Sequence, residues 1–312
     1  MRILVVGAGG TGGYFGARLM AAGREVTFLV RPGRAALLAR DGLRVRSGYG
    51  DLSLPVPRTV TAETLTQTFD LILLSCKAYD LDEAMSAIAP AVGPDTAILP
   101  VLNGMRHLER LDERFGAEHI LGGLCLISSA LGEDGRIRHF NDMHEIVFGE
   151  RGGERSDRVQ AIVDTLSGAG FDVRLSEAII QEMWEKWTFL AALAGITCLM
   201  RATVGDVVAS GFVSLASQLW EECAAIGSRE GHPPRERAAQ RARTVLTASG
   251  SPLVASMLRD IEKCAPVEAD HVLGDLLHRG GEAANSPLLQ VAYAHLKAYE
   301  ARRARENRAP DE

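Results

Sequence analysis

The chain has few of the residues that mark secreted or metal-dependent proteins. Its five cysteines include no pair at C-x-x-C spacing, so we expect reduced thiols and a cytoplasmic location rather than a disulfide framework. The eight histidines lack the spacing of metal ligands, and we expect no metal. No apolar run is long enough to span a membrane without polar interruption, and with a strand starting at residue 2 we expect no signal peptide.

An excess of positive charge is absent as well. The sequence has 34 lysines and arginines against 40 aspartates and glutamates, a formal net charge of −6. This balance gives no reason to expect a nucleic acid or an anionic membrane surface as partner. With 46% apolar and 24% charged residues, the composition is that of a globular protein, and a length of 312 residues favours two domains.

The N-terminal segment carries the pattern of a dinucleotide-binding unit. A buried strand is predicted at Ile3–Val6, then a glycine-rich turn, a helix, and a second strand at Val26–Val30. Glycines at G-x-G-x-x-G spacing permit a tight turn, close approach to a pyrophosphate, and close packing of helix on sheet. The start of the helix adds N–H groups and a positive dipole end. The residues of this turn are Gly7, Ala8, Gly9, Gly10, Thr11 and Gly12.

The end of the second strand bears on which nicotinamide cofactor is bound. Proteins that bind NAD usually place Asp or Glu there, on the ribose 2′-hydroxyl. This strand instead ends at Arg31, with Arg34 close by, while Glu25 stands at the opposite end. An arginine at that corner suits a 2′-phosphate and favours NADP(H). The alternative is that Arg31 is only a solvated loop charge and the cofactor is NAD.

The sequence pattern changes after Ser176, from alternating strands and helices to helices with few strand-like runs. We predict an α/β fold class, with a doubly wound Rossmann-type domain over residues 1–168 and an all-helical domain over residues 176–306. Residues 307–312 are expected to form a disordered tail. Separate strands are predicted at 136–139 and 145–149, and a helix break near Gly195. Ligands are expected between the domains, at the carboxyl ends of the strands.

Three further features could carry chemistry. Lys77 follows the predicted strand Leu71–Leu74, where the end of a parallel strand meets the cofactor crevice. Asn103 follows the next strand and offers an amide to the same crevice. Lys186 lies early in the first helix of the second domain. Each alone is better explained as a surface residue, and only their order after the dinucleotide unit makes them informative.

Taken together, these segments resemble the ketopantoate reductase (2-dehydropantoate 2-reductase) family. The resemblance runs from Met1 to about Leu296. Its most specific part is a Ser-Met-x-x-Asp run followed by a glutamate. The matching segments are Gly7–Gly12, Cys76-Lys77-Ala78, Asn103-Gly104-Met105, Trp184-Glu185-Lys186, Ser256–Asp260 and Glu268-Ala269-Asp270.

The resemblance implies NADPH-dependent reduction of a small 2-oxo acid, ketopantoate to pantoate, in pantothenate biosynthesis. Helical second domains of this kind often dimerise, so a homodimer is expected. The implied catalytic residues are a general acid and the carboxylate that orients it, Lys186 and Glu268. The implied donors to the substrate carboxylate are Ser256 and Asn103. The implied cofactor residues, besides the glycine turn, are Arg31 at the 2′-phosphate and Lys77 and Asn103 toward the nicotinamide.

The residue types agree with that chemistry. Hydride arriving at a 2-oxo carbon leaves negative charge on the oxygen, which a nearby ammonium stabilises and protonates. A carboxylate beside the lysine keeps it charged in a partly dry cleft.

The chain departs from the family pattern on one helix face. Positions one and two turns beyond Lys186 are asparagines in the family and are Leu190 and Ala194 here. We therefore expect both residues to line the substrate site and to favour a 2-oxo acid or ketone with a more apolar substituent. The alternative is a divergent ketopantoate reductase with a shifted helix register.

Two other functions stay open. One is another two-domain NAD(P)-dependent dehydrogenase that acts on a hydroxy acid or a polyol phosphate, although the pairing of Lys186 with Glu268 argues against it. The other is a non-catalytic NADP(H)-binding sensor, which the missing asparagines leave open.

Overall fold

The computed structural model describes residues 1–281 and 285–307, and the chain folds as two compact units. One unit comprises Met1–Leu102 with His107–Ile180, and the other comprises Asn103–Arg106 with the chain from Gln181 onward. The short segment 103–106 thus belongs with the helical unit, although it follows a strand of the first. Of the tail predicted over residues 307–312, residues 308–312 lie outside the described part.

The elements follow the chain in a mixed and then a helical order. The strands are β1 (Arg2–Val6), β2 (Glu25–Leu29), β3 (Leu43–Arg46), β4 (Leu52–Leu54), β5 (Arg58–Val60), β6 (Leu71–Leu74), β7 (Ala97–Pro100), β8 (Gly122–Leu131), β9 (Ile137–Gly149) and β10 (Asp172–Leu175). The helices are α1 (Gly10–Ala21), α2 (Pro32–Asp41), α3 (Leu81–Ile88), α4 (Arg106–Phe115), α5 (Asp157–Leu166), α6 (Ile179–Met200), α7 (Val204–Ala209), α8 (Val213–Arg229), α9 (Glu236–Leu246), α10 (Ser256–Glu262), α11 (Asp275–Gly280) and α12 (Pro287–Glu306).

A parallel sheet in the order β5-β2-β1-β6-β7 carries the dinucleotide-binding pattern. Its central strands are nearly continuous apolar runs because both of their faces are covered. Pro100, which has no N–H to donate, is the last residue of β7 at the end of this sheet. The next residue, Val101, donates its N–H to the Leu74 carbonyl at 3.0 Å. The predicted α/β fold class with a Rossmann-type first part is confirmed.

A second sheet in the same unit was not predicted. It runs β10-β9-β3-β4, and β8 pairs antiparallel with β9. The strands predicted at 136–139 and 145–149 are wrong as separate elements, because β9 continues through both. Pairing with β8 holds this long strand together, with a register irregularity between Ile127 and Ser129.

Helix α1 packs against strands of both sheets. Two of its glycines make this close packing possible. A Cβ on Gly13 would lie 2.3 Å from Ile137 Cδ1, and one on Gly16 would lie 2.5 Å from Phe28 Cε1. The start of α1, and therefore the glycine turn, is held between two layers of strands.

The helical unit is organised along α6. Gly195, where a break was predicted, lies inside this helix, so that prediction is wrong. A Cβ there would lie 2.7 Å from Leu219 Cδ2, so glycine serves close helix packing rather than termination. Near α12, the buried Glu222 carboxylate accepts the N–H groups of Leu288 at 3.3 Å and Leu289 at 2.9 Å, which caps that helix.

Within residues 1–281 and 285–307, no helix combines the length and the apolar character needed to cross a membrane.

Candidate active site

The glycine turn has the geometry of a nucleotide cradle. Gly7 adopts φ +91, which a turn out of β1 requires, and its N–H donates to the Leu29 carbonyl at 2.9 Å. A Cβ on Gly12 would lie 2.1 Å from Ser75 Oγ, so only glycine fits against the end of β6. Helix α1 begins next, with Gly9 at its N-cap and no side chain capping it. A ligand can therefore approach the main chain of this turn closely.

Arg34 provides positive charge beside this turn. Its Nε donates to the Ala8 carbonyl at 3.1 Å, and its Nη1 donates to the Gly135 carbonyl at 3.3 Å. Its Nη2 is buried and has no hydrogen-bond partner among the described residues. Burial lowers the pKa of Arg34. An unsatisfied guanidinium donor next to a glycine-rich helix start fits the phosphates of a dinucleotide.

Arg31, the predicted ligand of the 2′-phosphate, is engaged in ion pairs. It occupies the N-cap of α2, and its Nη2 lies 2.9 Å from Asp80 Oδ1 and 2.5 Å from Glu83 Oε2. Its Nε also donates to Glu83 Oε1 at 3.3 Å. The hydrogen bond that Arg31 donates to Glu83, and then the one it donates to Asp80, raises the pKa of Arg31. Neither acid was predicted from the sequence as part of this site, although both follow Lys77 within two helical turns.

Lys77 stands where it was predicted, directly beyond the end of β6. It is half-buried and occupies the N-cap of a short 3-10 helix, Ala78–Asp80. The same loop is tied to β1, because Ser75 Oγ donates to the Val6 carbonyl at 2.9 Å. Lys77 therefore belongs to the loop that packs beside the glycine turn.

In the helical unit, Lys186 lies on α6 and is half-buried. Leu190, one turn further on, is also half-buried, whereas Ala194 is only 4% exposed. Of the two residues expected to form an apolar wall, Leu190 is therefore the one that offers surface to a ligand.

The segment that carries Glu268 is fixed to α6. Glu268 is 8% exposed, and its main-chain carbonyl accepts the Val272 N–H at 2.9 Å. The indole N–H of Trp187, the residue after Lys186, donates to the Val272 carbonyl at 2.9 Å. Val272 lies in a π-helical turn, Asp270–Gly274, that begins two residues after Glu268. Such turns are frequent at functional sites. Lys186 and Glu268 thus lie on two segments joined by a buried hydrogen bond.

Asn103 contacts the same segment through His271, a residue that was not predicted from the sequence. Gly104 has φ +80, and a Cβ there would lie 2.9 Å from His271 Cδ2. The His271 ring also hydrogen-bonds the main chain of Asn103. Burial lowers the pKa of His271, while the charges of Glu268 and Asp275 oppose this shift. The only sequence signal for His271 is its place three residues beyond Glu268.

Ser256 is exposed and is the first residue of α10. The N–H of its neighbour Ala255 donates to Thr197 Oγ1 on α6 at 3.3 Å, in a buried contact. The segments that carry Glu268 and Ser256 therefore both contact α6, the helix that carries Lys186 and Leu190.

The residue before Lys186 is a fixed anion. The carboxylate of Glu185 receives two hydrogen bonds from the Arg235 guanidinium, both of 2.7 Å. Burial favours a higher pKa for Glu185, but the bonds from Arg235 and Gln181 lower it overall. This pair anchors the start of α6.

Among the described residues, no group of three or more His, Cys, Asp or Glu side chains is arranged to hold a metal ion.

Comparison with known families decides the relationship. Residues 3–153 match the family model described as ketopantoate reductase PanE/ApbA, and residues 178–300 match the model of its C-terminal part. The chain belongs to the ketopantoate reductase family. The predicted family is thereby confirmed, and with it an oxidoreductase class.

Individual relatives of this ketopantoate reductase family member cover nearly its whole length. An uncharacterized oxidoreductase, YkpB of Bacillus subtilis, is 38% identical over 304 residues, or 96% of this chain and 99% of that protein. The crystal structure of 2-dehydropantoate 2-reductase from Geobacter metallireducens is similar with a TM-score of 0.87 and 28% identity, covering 96% of this chain and 99% of that one.

A D-mandelate dehydrogenase, solved as a ternary structure with NADH and anilino(oxo)acetate, shares the fold at a TM-score of 0.88 and 20% identity. The alignment covers 97% of this chain and all of that one.

Proposed function

We propose that this protein is an NADPH-dependent reductase that converts a 2-oxo acid to the 2-hydroxy acid. In this proposal, residues 1–168 bind the nucleotide and residues 176–306 carry the catalytic groups. The observation that carries it is the buried bond from Trp187 to Val272, which joins the segments of Lys186 and Glu268. An ammonium held beside a carboxylate is what carbonyl reduction requires.

The proposed roles follow from the chemistry of each side chain. The reduced nicotinamide, when bound, supplies the hydride. Lys186 stabilises the negative charge that develops on the keto oxygen and donates a proton to that atom. Glu268 orients the ammonium and keeps it charged. Asn103 and Ser256 hold the substrate carboxylate as neutral donors.

The proposed cofactor contacts, with the exception of Asn103, lie on the first unit. The turn formed by Gly7, Ala8, Gly9, Gly10, Thr11 and Gly12 binds the pyrophosphate, with Arg34 beside it. Arg31 contacts the 2′-phosphate, and Lys77, with Asn103 of the second unit, serves the nicotinamide end. The buried and unsatisfied Nη2 of Arg34 supports a phosphate at this turn.

The apolar side chain of Leu190 is the argument for a substrate with an apolar substituent. A substrate hydroxyl facing Leu190 finds no partner there, which costs about 1–3 kcal/mol for each polar atom left unpaired. Loss of that one partner would slow turnover of ketopantoate by roughly 10–10²-fold. The D-mandelate dehydrogenase of this fold is described with anilino(oxo)acetate, an oxo acid with an apolar ring.

Ketopantoate itself is the second candidate substrate. The 28% identical relative from Geobacter metallireducens, named 2-dehydropantoate 2-reductase, favours it. In that case the protein serves pantothenate biosynthesis. Under either substrate we propose a cytoplasmic homodimer, which light scattering of the purified protein would test.

Steady-state oxidation of NADPH by purified protein tests the function. The substrate panel would contain ketopantoate and 2-oxo acids with alkyl or phenyl substituents. We expect turnover with the panel and the highest kcat/KM for an apolar member. A clear preference for ketopantoate would establish the second candidate. If the protein binds NADPH but reduces no 2-oxo acid of the panel, the result would favour the alternative of a non-catalytic NADP(H)-binding sensor.

A further inference from the structure

The ion pairs of Arg31 cross the strand that leads into the glycine turn. In the parallel sheet, β2 and β6 lie on either side of β1. Arg31 follows β2, whereas Asp80 and Glu83 follow β6. The carboxyl ends of β2 and β6 are two strand spacings apart, or about 10 Å. The guanidinium therefore reaches from one side of the turn to acids on the other.

These contacts occupy the donors that a phosphate would need. An arginine binds phosphate best through two parallel N–H groups. Here Nε and Nη2 of Arg31 both face Glu83, at 3.3 and 2.5 Å, and Nη2 also faces Asp80 at 2.9 Å. Hydrogen bonding to Arg31 lowers the pKa of Glu83, so this carboxylate is charged at neutral pH. A 2′-phosphate arriving at Arg31 meets two anions already in place.

A ribose with a free 2′-hydroxyl meets no such opposition. It carries no charge, and a carboxylate can accept its hydrogen bond, as the acidic residue of NAD-binding proteins does. The same two acids that oppose NADPH therefore leave NADH unopposed.

We propose that Asp80 and Glu83 compete with the 2′-phosphate for Arg31, and so reduce the preference for NADPH over NADH that Arg31 alone would give. This inference rests on the proposed function, in which Arg31 marks the 2′-phosphate site. Glu83 is 64% and Asp80 31% exposed at the side chain. Because exposed ion pairs are weak, each acid should change NADPH affinity by up to about fivefold.

The experiment measures the dissociation constants of NADPH and NADH by nicotinamide fluorescence. The variants are Asp80→Asn, Glu83→Gln and the double variant. We expect the double variant to bind NADPH about tenfold more tightly, with NADH unchanged or slightly weaker, and the gain to shrink at high salt. Glu83→Gln alone, on the exposed face of α3, should show a smaller gain and guards against a double variant that folds poorly.

Asp82→Asn is the matched control. Asp82 lies between the two acids in sequence, is 70% exposed, and pairs with Arg110 at 2.7 Å instead of Arg31. An equal gain in NADPH affinity from Asp82→Asn would mean that only overall charge matters and would overturn the inference. An unchanged NADPH constant in the double variant would overturn it too.

Arg31→Ala separates this inference from the proposed function. If Arg31→Ala weakens NADPH but not NADH while the double variant has no effect, only the competition is wrong. If Arg31→Ala leaves the ratio of the NADPH and NADH dissociation constants unchanged, Arg31 does not bind the 2′-phosphate. The inferred competition is then wrong as well.

Discussion

At the residue scale, the types of the candidate groups were predictable, but their partners were not. Lys186, Glu268 and Lys77 stand out by motif and by position after predicted elements. Arg31 was identified as a phosphate ligand, yet its pairing with Asp80 and Glu83 joins residues about fifty positions apart. Motif and periodicity describe neighbours in sequence, so contacts of this kind need the fold. The roles of these residues remain predictions that substitution can test.

Replacing Lys186 with alanine should remove the proton donor and leave cofactor binding intact. General acid catalysis typically contributes 10²–10⁴-fold, so kcat should fall by roughly that factor. The dissociation constant of NADPH should change less than about threefold, as fits a residue that acts only on the substrate. The exposed Lys263→Ala is the matched control. Equal losses in kcat and NADPH affinity would indicate a structural lysine instead.

Replacing Leu190 with asparagine should restore a hydrogen-bonding wall. Because Leu190 is half-buried, the amide can be accommodated, and kcat/KM for ketopantoate relative to a phenyl-substituted 2-oxo acid should rise at least tenfold, about 1.4 kcal/mol. Leu190→Met, which keeps the wall apolar, should leave this ratio nearly unchanged. A ratio that does not move in the asparagine variant would mean that Leu190 does not face the substrate.

At the element scale, helices and strands with a clear local sequence pattern were predicted well, whereas the pairing of strands distant in sequence was not. The strands predicted at Ile3–Val6 and Leu71–Leu74 are present as β1 and β6 because each is a continuous apolar run of its own. The second sheet was missed because it depends on β9 pairing with distant strands on both sides. Gly195 was read as a helix break, whereas it fits a close contact with Leu219 that local sequence does not show.

The cap of α12 by Glu222 gives a prediction about stability. Glu222→Ala would leave the N–H groups of Leu288 and Leu289 without their buried acceptor, at a cost of about 1–3 kcal/mol. The melting temperature should fall by several degrees, measured by circular dichroism. Its exposed neighbour, Glu221→Ala, should change it by no more than about a degree. Similar losses in both variants would show that the helix end is not held by this carboxylate.

At the scale of the whole molecule, the charged groups predict how stability varies with pH. Burial lowers the pKa of four histidines, His144, His232, His271 and His295. In the unfolded chain a histidine titrates near pH 6.5. Below that pH the unfolded state therefore binds more protons than the folded state does. Carboxylates with lowered pKa, such as Glu150 and Glu185, are charged in both states until the pH falls to about 4.5.

Stability should therefore be constant from about pH 8 to pH 7, decline as the pH falls through 6.5, and decline further below about pH 4.5. Chemical denaturation across this range measures the free energy of unfolding. His271→Gln should flatten the first decline, because it removes one histidine whose pKa is lowered by burial in the folded state. A free energy of unfolding that rises between pH 7 and pH 5.5 would contradict the assignment, since it would require histidines that gain protons on folding.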